Sequence, residues 1–387
     1  MTNPAGRPVL SRRGFLGGTV ATGTLASVAA PLSAASPSAA VAPTPAYGPP
    51  AGIAKLDANE NPYGPSANAL RQMFEASKQG AYYVRDSVKI LKSLIAERHR
   101  VAPEQVTLSS GSSGVLTYVA THAAAKGGIL CPDLFWDSTA RRGTRHAGRL
   151  VRLPGNDALA IDLEAMYDAI SPEISLVQVT NPNNPTGTVL DGEALRAFCR
   201  KASKEVTVLV DEAYNELTDR PDYYSMVDLV REGHDVIVAR TFSKIYGLAG
   251  MRVGYAISSA ENAAMISSYA LGDYTLNQAG LAAAIASYND EAFLELSKSR
   301  IIEAREMIST AVRAAGLRAL PSAANFVFVD LGTFSADTFR EKMAARSVLI
   351  RGSYGDYRSW SRVSMGRIED VQRYVEALPA VLDEMGA

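Results

Sequence analysis

The stretch RTFSKIYGLAGMRVGYA (residues 240–256) places a lysine, Lys244, directly after the hydroxyls Thr241 and Ser243, with a glycine-rich turn behind it and Arg252 eight residues on. The run leading into it, DVIVARTFS (235–243), is rich in Val and Ile and ends in polar residues, the pattern of a buried strand. VGYAISS (253–259) reads as a second one. A lysine between them is costly to bury unpaired, because an ammonium is strongly hydrated. The position calls for a chemistry that uses an amine.

Working outward, GGILCP (127–132), SLVQVTNP (175–182) and VTVLVDEAY (206–214) read as further buried strands. DLEAMYDAI (162–170) and GEALRAFCRKASKE (192–205) between them carry helical periodicity. Strands alternating with helices predict an α/β fold with a mostly parallel sheet covered on both faces, whose ligands bind at the carboxyl ends of the strands. A long helical stretch (290–316) then leads into a smaller α/β unit holding NFVFVDL (325–331), SVLIRG (347–352) and a closing helix (369–385). The expected division is a large domain over 81–289 and a small domain formed by 47–80 with 290–387. The basic run ARRGTRHAGRLVRL (140–153) spaces Arg142, Arg145 and Arg149 as on one solvated helix face.

Composition narrows the function classes. The chain has 387 residues and a formal charge of −1, so nothing electrostatic argues for nucleic acid as a partner. Cys131 and Cys199 lie in no metal spacing and in apolar surroundings, which reads as two buried free thiols. The four histidines are scattered, so no metal site is expected. At the N-terminus, SRRGFLGG (11–18) precedes a weakly apolar run, and no charged residue stands between Arg13 and Lys55. The paired arginines followed by Gly-Phe-Leu resemble a twin-arginine export signal. The run is too rich in Gly, Ala, Thr and Ser for a stable membrane span. Residues 1–46 are therefore expected to be a signal and Pro/Ala linker, with the twin-arginine machinery as a partner and a periplasmic or extracellular destination.

The strand ends collect an unusual set of groups. NPNNPTG (181–187) offers Asn184, and DEAY (211–214) offers Asp211 and Tyr214. Thr241, Ser243, Lys244 and Arg252 follow. LSSGSSGVL (108–116) adds a glycine-framed turn opening a helix, with Ser112 and Ser113 at an anion-favouring N-terminus. Pyridoxal phosphate needs this assortment: an amine for a Schiff base and a carboxylate for the pyridine nitrogen. A phenol and an amide serve the ring hydroxyl, while hydroxyls, an arginine and backbone N–H groups hold the phosphate.

With those residues in place, the chain resembles the fold-type I pyridoxal phosphate aminotransferases of class I/II, in the histidinol-phosphate aminotransferase branch. KLDANENPYGPS (55–66) is similar to that branch's N-terminal signature, AYYVRDS (81–87) to its tyrosine turn, and PSAANFVFV (321–329) with SRVSMG (361–366) to its C-terminal strand and arginine motif. The resemblance implies Lys244 as Schiff-base lysine and general base, Asp211 as pyridinium partner, and Tyr214 and Asn184 at the ring hydroxyl. It implies Ser112, Ser113, Thr241, Ser243 and Arg252 at the phosphate, joined by Tyr82 from a neighbouring subunit of a homodimer. Arg362 would hold the substrate carboxylate, with Arg351 and Tyr63 also on the substrate side. The slot for a ring-stacking aromatic holds Leu134, leaving Phe135, Trp136 or an aliphatic side chain for that task.

The implied reaction moves an amino group between an amino acid or related amine and a 2-oxo acid. A lyase, decarboxylase or cyclase on the same scaffold is the alternative, since the fold alone does not select the bond broken. A non-catalytic binding protein would be expected to lack the lysine or the acid, and both are present. Export argues against histidine biosynthesis, whose phosphorylated intermediates are expected in the cytoplasm.

Overall fold

The computed structural model describes residues 47–386 except Asp157. The expected signal and linker at 1–46 lie outside the described residues. A seven-stranded sheet carries the strands Val106–Ser109, Gly254–Ile257, Val236–Thr241, Thr207–Asp211, Ile174–Thr180, Gly128–Pro132 and Leu150–Leu153, side by side in that order. Gly254–Ile257 runs against both its neighbours and the remaining pairs are parallel, so every other carboxyl end opens on one rim.

Alternation along the strands divides the core. Val177, Val179, Val208, Val210, Val236 and Val238 face one layer, whereas Leu176, Leu209, Ile237 and Ala239 face the helix Ser112–Ala124 through Val115, Leu116 and Val119. Burial on both faces explains why these strands read as largely apolar runs.

Two stretches differ from the sequence expectation. The basic run does not form one helix: Ser138–Gly143 is helical, Leu150–Leu153 is an edge strand, and Arg149 pairs with Glu173 at 2.5 Å. Gly143 sits where a Cβ would meet the Ala120 Cβ at 2.5 Å, so that helix packs closely against its neighbour instead of continuing as a solvated face. The strand Val106–Ser109 was hidden because only four residues separate its start from the glycine turn.

The C-terminal part holds an antiparallel sheet of Arg318–Ala319, Phe326–Asp330 and Trp360–Ser364, backed by the helix Glu291–Ala314, on which the helix Ile368–Asp383 packs. Ala54–Lys55 pairs with Val348–Leu349, 294 residues on, which carries the N-terminal segment across to that part. The helix Ala67–Ser77, capped by the Ser66 hydroxyl on the Ala69 N–H, packs on the helix Gln278–Tyr288. Cys131 and Cys199 are both buried free thiols, and burial pushes the Cys131 thiol up to about 12. Among the described residues no helix is long and apolar enough to cross a membrane.

Candidate active site

A cavity of about 600 Å³ opens where the strand rim meets the segment Asp57–Glu60 and the C-terminal sheet. Its lining includes Ser112, Ser113, Asn184, Asp211, Tyr214, Thr241, Ser243, Lys244, Arg252, Arg351 and Arg362. Eleven of the thirteen residues singled out in the sequence thus meet in one place.

At the floor, Asp211 is 4 % exposed and, among the described residues, its Oδ1 accepts only the Ala213 N–H, at 3.2 Å. Burial pushes its carboxyl up to about 6. The Lys244 Nζ forms no ion pair among the described residues and donates to the Asn59 carbonyl at 2.9 Å. Burial first, and the Arg362 charge next, push this amine down to about 8. The Tyr214 hydroxyl, raised to about 12 by burial, accepts from Asn59 Nδ2 at 2.9 Å and Asn184 Nδ2 at 3.2 Å. Arg362 reaches Asn184 Oδ1 at 2.9 Å and the Asp57 carbonyl at 3.1 Å, while its buried Nε has no partner among the described residues.

At one end the helix Ser112–Ala124 begins behind Gly111, whose φ of +71° favours glycine and which, having no side chain, leaves the first helical N–H groups uncapped by it. Arg252 Nη2 donates to Ser113 Oγ at 3.0 Å, and Thr241 Oγ1 donates to Ser243 Oγ at 2.9 Å. A Cβ on Gly111 would stand 2.2 Å from Arg252 Nη2, so the arginine lies directly on the turn. Helix-end N–H groups, three hydroxyls and a guanidinium together make an anion seat.

The donor set fits pyridoxal phosphate. The seat matches a phosphate, the under-partnered Asp211 matches a protonated ring nitrogen, and the enclosed amine of Lys244 matches an aldehyde.

The aminotransferase class I and II family matches residues 51–378. The chain belongs to the class I and II aminotransferases. It is 35 % identical to histidinol-phosphate aminotransferase 2 of Methylococcus capsulatus over 338 residues, 85 % of this chain and 90 % of that one. To the histidinol-phosphate aminotransferase of Moorella thermoacetica it is 32 % identical, covering 85 % and 86 % respectively. Its backbone superposes on the histidinol-phosphate aminotransferase of Sinorhizobium meliloti, solved in complex with pyridoxal-5'-phosphate, with a TM-score of 0.80, 29 % identity and coverage of 86 % and 92 %. The protein is a pyridoxal phosphate-dependent aminotransferase with the aspartate-aminotransferase-like α/β fold.

Two expected residues stand outside this aminotransferase's cavity. Tyr63, expected on the substrate side, is not among the residues lining the cavity: its hydroxyl accepts the Ile368 N–H at 3.2 Å and its ring lies by Arg367, so it braces the closing helix. Tyr82 is 71 % exposed and borders a groove with Tyr83 and Tyr274. Leu134 packs toward Leu320, Phe328 and Trp360, leaving Phe135 and the half-exposed Trp136 on the wall. Sequence reasoning did not single out Asn59 or Tyr354, although Asn59 lies in the quoted KLDANENPYGPS and Tyr354 follows Arg351 by three residues.

Proposed function

We propose that this aminotransferase takes its amino group from an amino acid or related amine other than histidinol phosphate, and works as an exported homodimer. The observation that carries the donor reading is Arg362, buried beside Asn184 with an unpartnered Nε and with Arg351 next to it, a place for a carboxylate. Pyridoxal phosphate, when bound, supplies an aldehyde for the incoming amine and a ring that takes up carbanion electrons. Lys244 Nζ takes the proton from the substrate α-carbon and returns it later in the cycle. Asp211 would accept the ring N–H, Tyr214 and Asn184 would address the ring hydroxyl, and Ser112, Ser113, Thr241, Ser243 and Arg252 would hold the phosphate.

The homodimer is supported by a concentration of exposed apolar side chains around the groove, including Phe74, Tyr82, Tyr83, Leu271 and Tyr274. Tyr82 from each subunit would complete the other's phosphate seat. Domain division at residues 80 and 290 and export through the N-terminal arginine pair complete the proposal.

The test is the visible spectrum of the loaded protein with single amino acids, then with a 2-oxo acid. A band that bleaches with one donor and returns with the 2-oxo acid names the donor; a band deaf to every amino acid moves the function to another pyridoxal phosphate reaction. The relatives' names favour a second reading, histidinol phosphate itself. Growth of a histidine auxotroph on the leaderless protein would establish that reading and overturn the first.

A further inference from the structure

One buried side chain of the cavity is left without a task by the reading above. Asn59, 7 % exposed, comes from the segment that crosses to the C-terminal part, and it touches three elements at once. Its carbonyl takes the Lys244 ammonium at 2.9 Å, its Nδ2 donates to the Tyr214 hydroxyl at 2.9 Å, and its Oδ1 accepts from Ser364 Oγ at 2.6 Å.

The direction of these bonds is fixed at Asn184 by its partner and at Asn59 follows from Ser364 acting as the donor. Arg362 has only donors, so Asn184 must offer its oxygen to Arg362 and its N–H to Tyr214. In the structure Ser364 Oγ donates to Asn59 Oδ1, and the Asn59 N–H faces Tyr214. The Tyr214 oxygen then receives two donors, which occupy its acceptor capacity. Its own proton is left to point into the cavity.

We propose that Asn59 is a positioning residue: its carboxamide, held by Ser364, keeps the Tyr214 hydroxyl a donor toward the cofactor and thereby sets the proton affinity of the cofactor-loaded Lys244. The proposal rests on the pyridoxal phosphate assignment and is independent of the donor and of export. The bond from Asn59 is also the largest influence opposing the rise that burial imposes on the Tyr214 phenol. The charged groups facing this pair are Asp211, Arg362, Glu60 and Arg252, all of which the variants below retain.

The experiment is a pH titration of the visible absorption of the pyridoxal phosphate-loaded protein. Asn59→Asp keeps the shape and the Ser364 bond but replaces a donor by an acceptor, so the Tyr214 proton turns away from the cofactor. The titration midpoint is expected to rise by about one pH unit, a tenfold gain in proton affinity. In the Tyr214→Phe background most of that rise should vanish. An equal rise in both backgrounds would mean a bare charge effect and overturn the proposal. Ser364→Ala, which frees the carboxamide without adding charge, should raise the midpoint about threefold in affinity. It also carries the test if Asn59→Asp does not fold, and an unmoved midpoint there counts against Asn59. Wild-type protein that forms no visible band would overturn the cofactor assignment and this proposal with it.

Discussion

Lys244 is poised by enclosure rather than by an ion pair. With its amine pushed down to about 8 by burial and by Arg362, a large uncharged fraction exists at pH 8, where an ordinary lysine has almost none. The uncharged amine is the form that attacks an aldehyde. Capture of pyridoxal phosphate by the apo protein should therefore quicken as pH rises through about 8 and level off above it, followed by the growth of visible absorbance after mixing. A rate still climbing at pH 10 would contradict this. Asp211, pushed up to about 6, becomes neutral below that pH and loses its hold on a ring N–H, so bound cofactor should weaken on the acid side. Lys244→Ala should erase the visible band and lower turnover by about 10²–10⁴, the range for losing a positioned base.

The elements do their work at their ends. The phosphate seat exists because the helix Ser112–Ala124 starts at a glycine in the left-handed region, with Arg252 lying against the space a side chain would fill. Gly111→Ala combines backbone strain with a 2.2 Å clash on Arg252. Cofactor affinity should fall at least about tenfold, measured by equilibrium dialysis of the apo protein, because a loss of about 1.4 kcal/mol suffices. This level of organisation was legible in the sequence. Asp211, Asn184 and Lys244 each sit just beyond a Val- and Ile-rich run, and turn chemistry is local. What was not legible depended on distant partners: Asn59 acts on Tyr214 and Ser364, 155 and 305 residues away. The Tyr63 hydroxyl is another such case, since its partner Ile368 is 305 residues on. The edge strand Leu150–Leu153 is masked in the sequence because the arginines leading into it, Arg142, Arg145 and Arg149, keep helical spacing, while the strand's backbone pairs with Gly128–Pro132.

For the whole molecule, the dimer reading makes a sharp prediction. If Tyr82 serves the neighbouring site, refolding Lys244→Ala together with Tyr82→Ala should give hybrids in which one site has both Lys244 and Tyr82 intact. Activity should then exceed the mean of the two parents, whereas a site built from one chain would give no gain. The crossing segment sets a different constraint. Leu56 accepts the Ser364 N–H, Asp57 accepts from Arg362, and Asn59 accepts from Ser364, so residues made early wait for residues made about three hundred positions later. During synthesis the sheet rim and its lysine can form well before the wall opposite them exists. Colour from bound cofactor would accordingly act as a completion stamp, acquired only when translation has finished and the two ends of the chain have met.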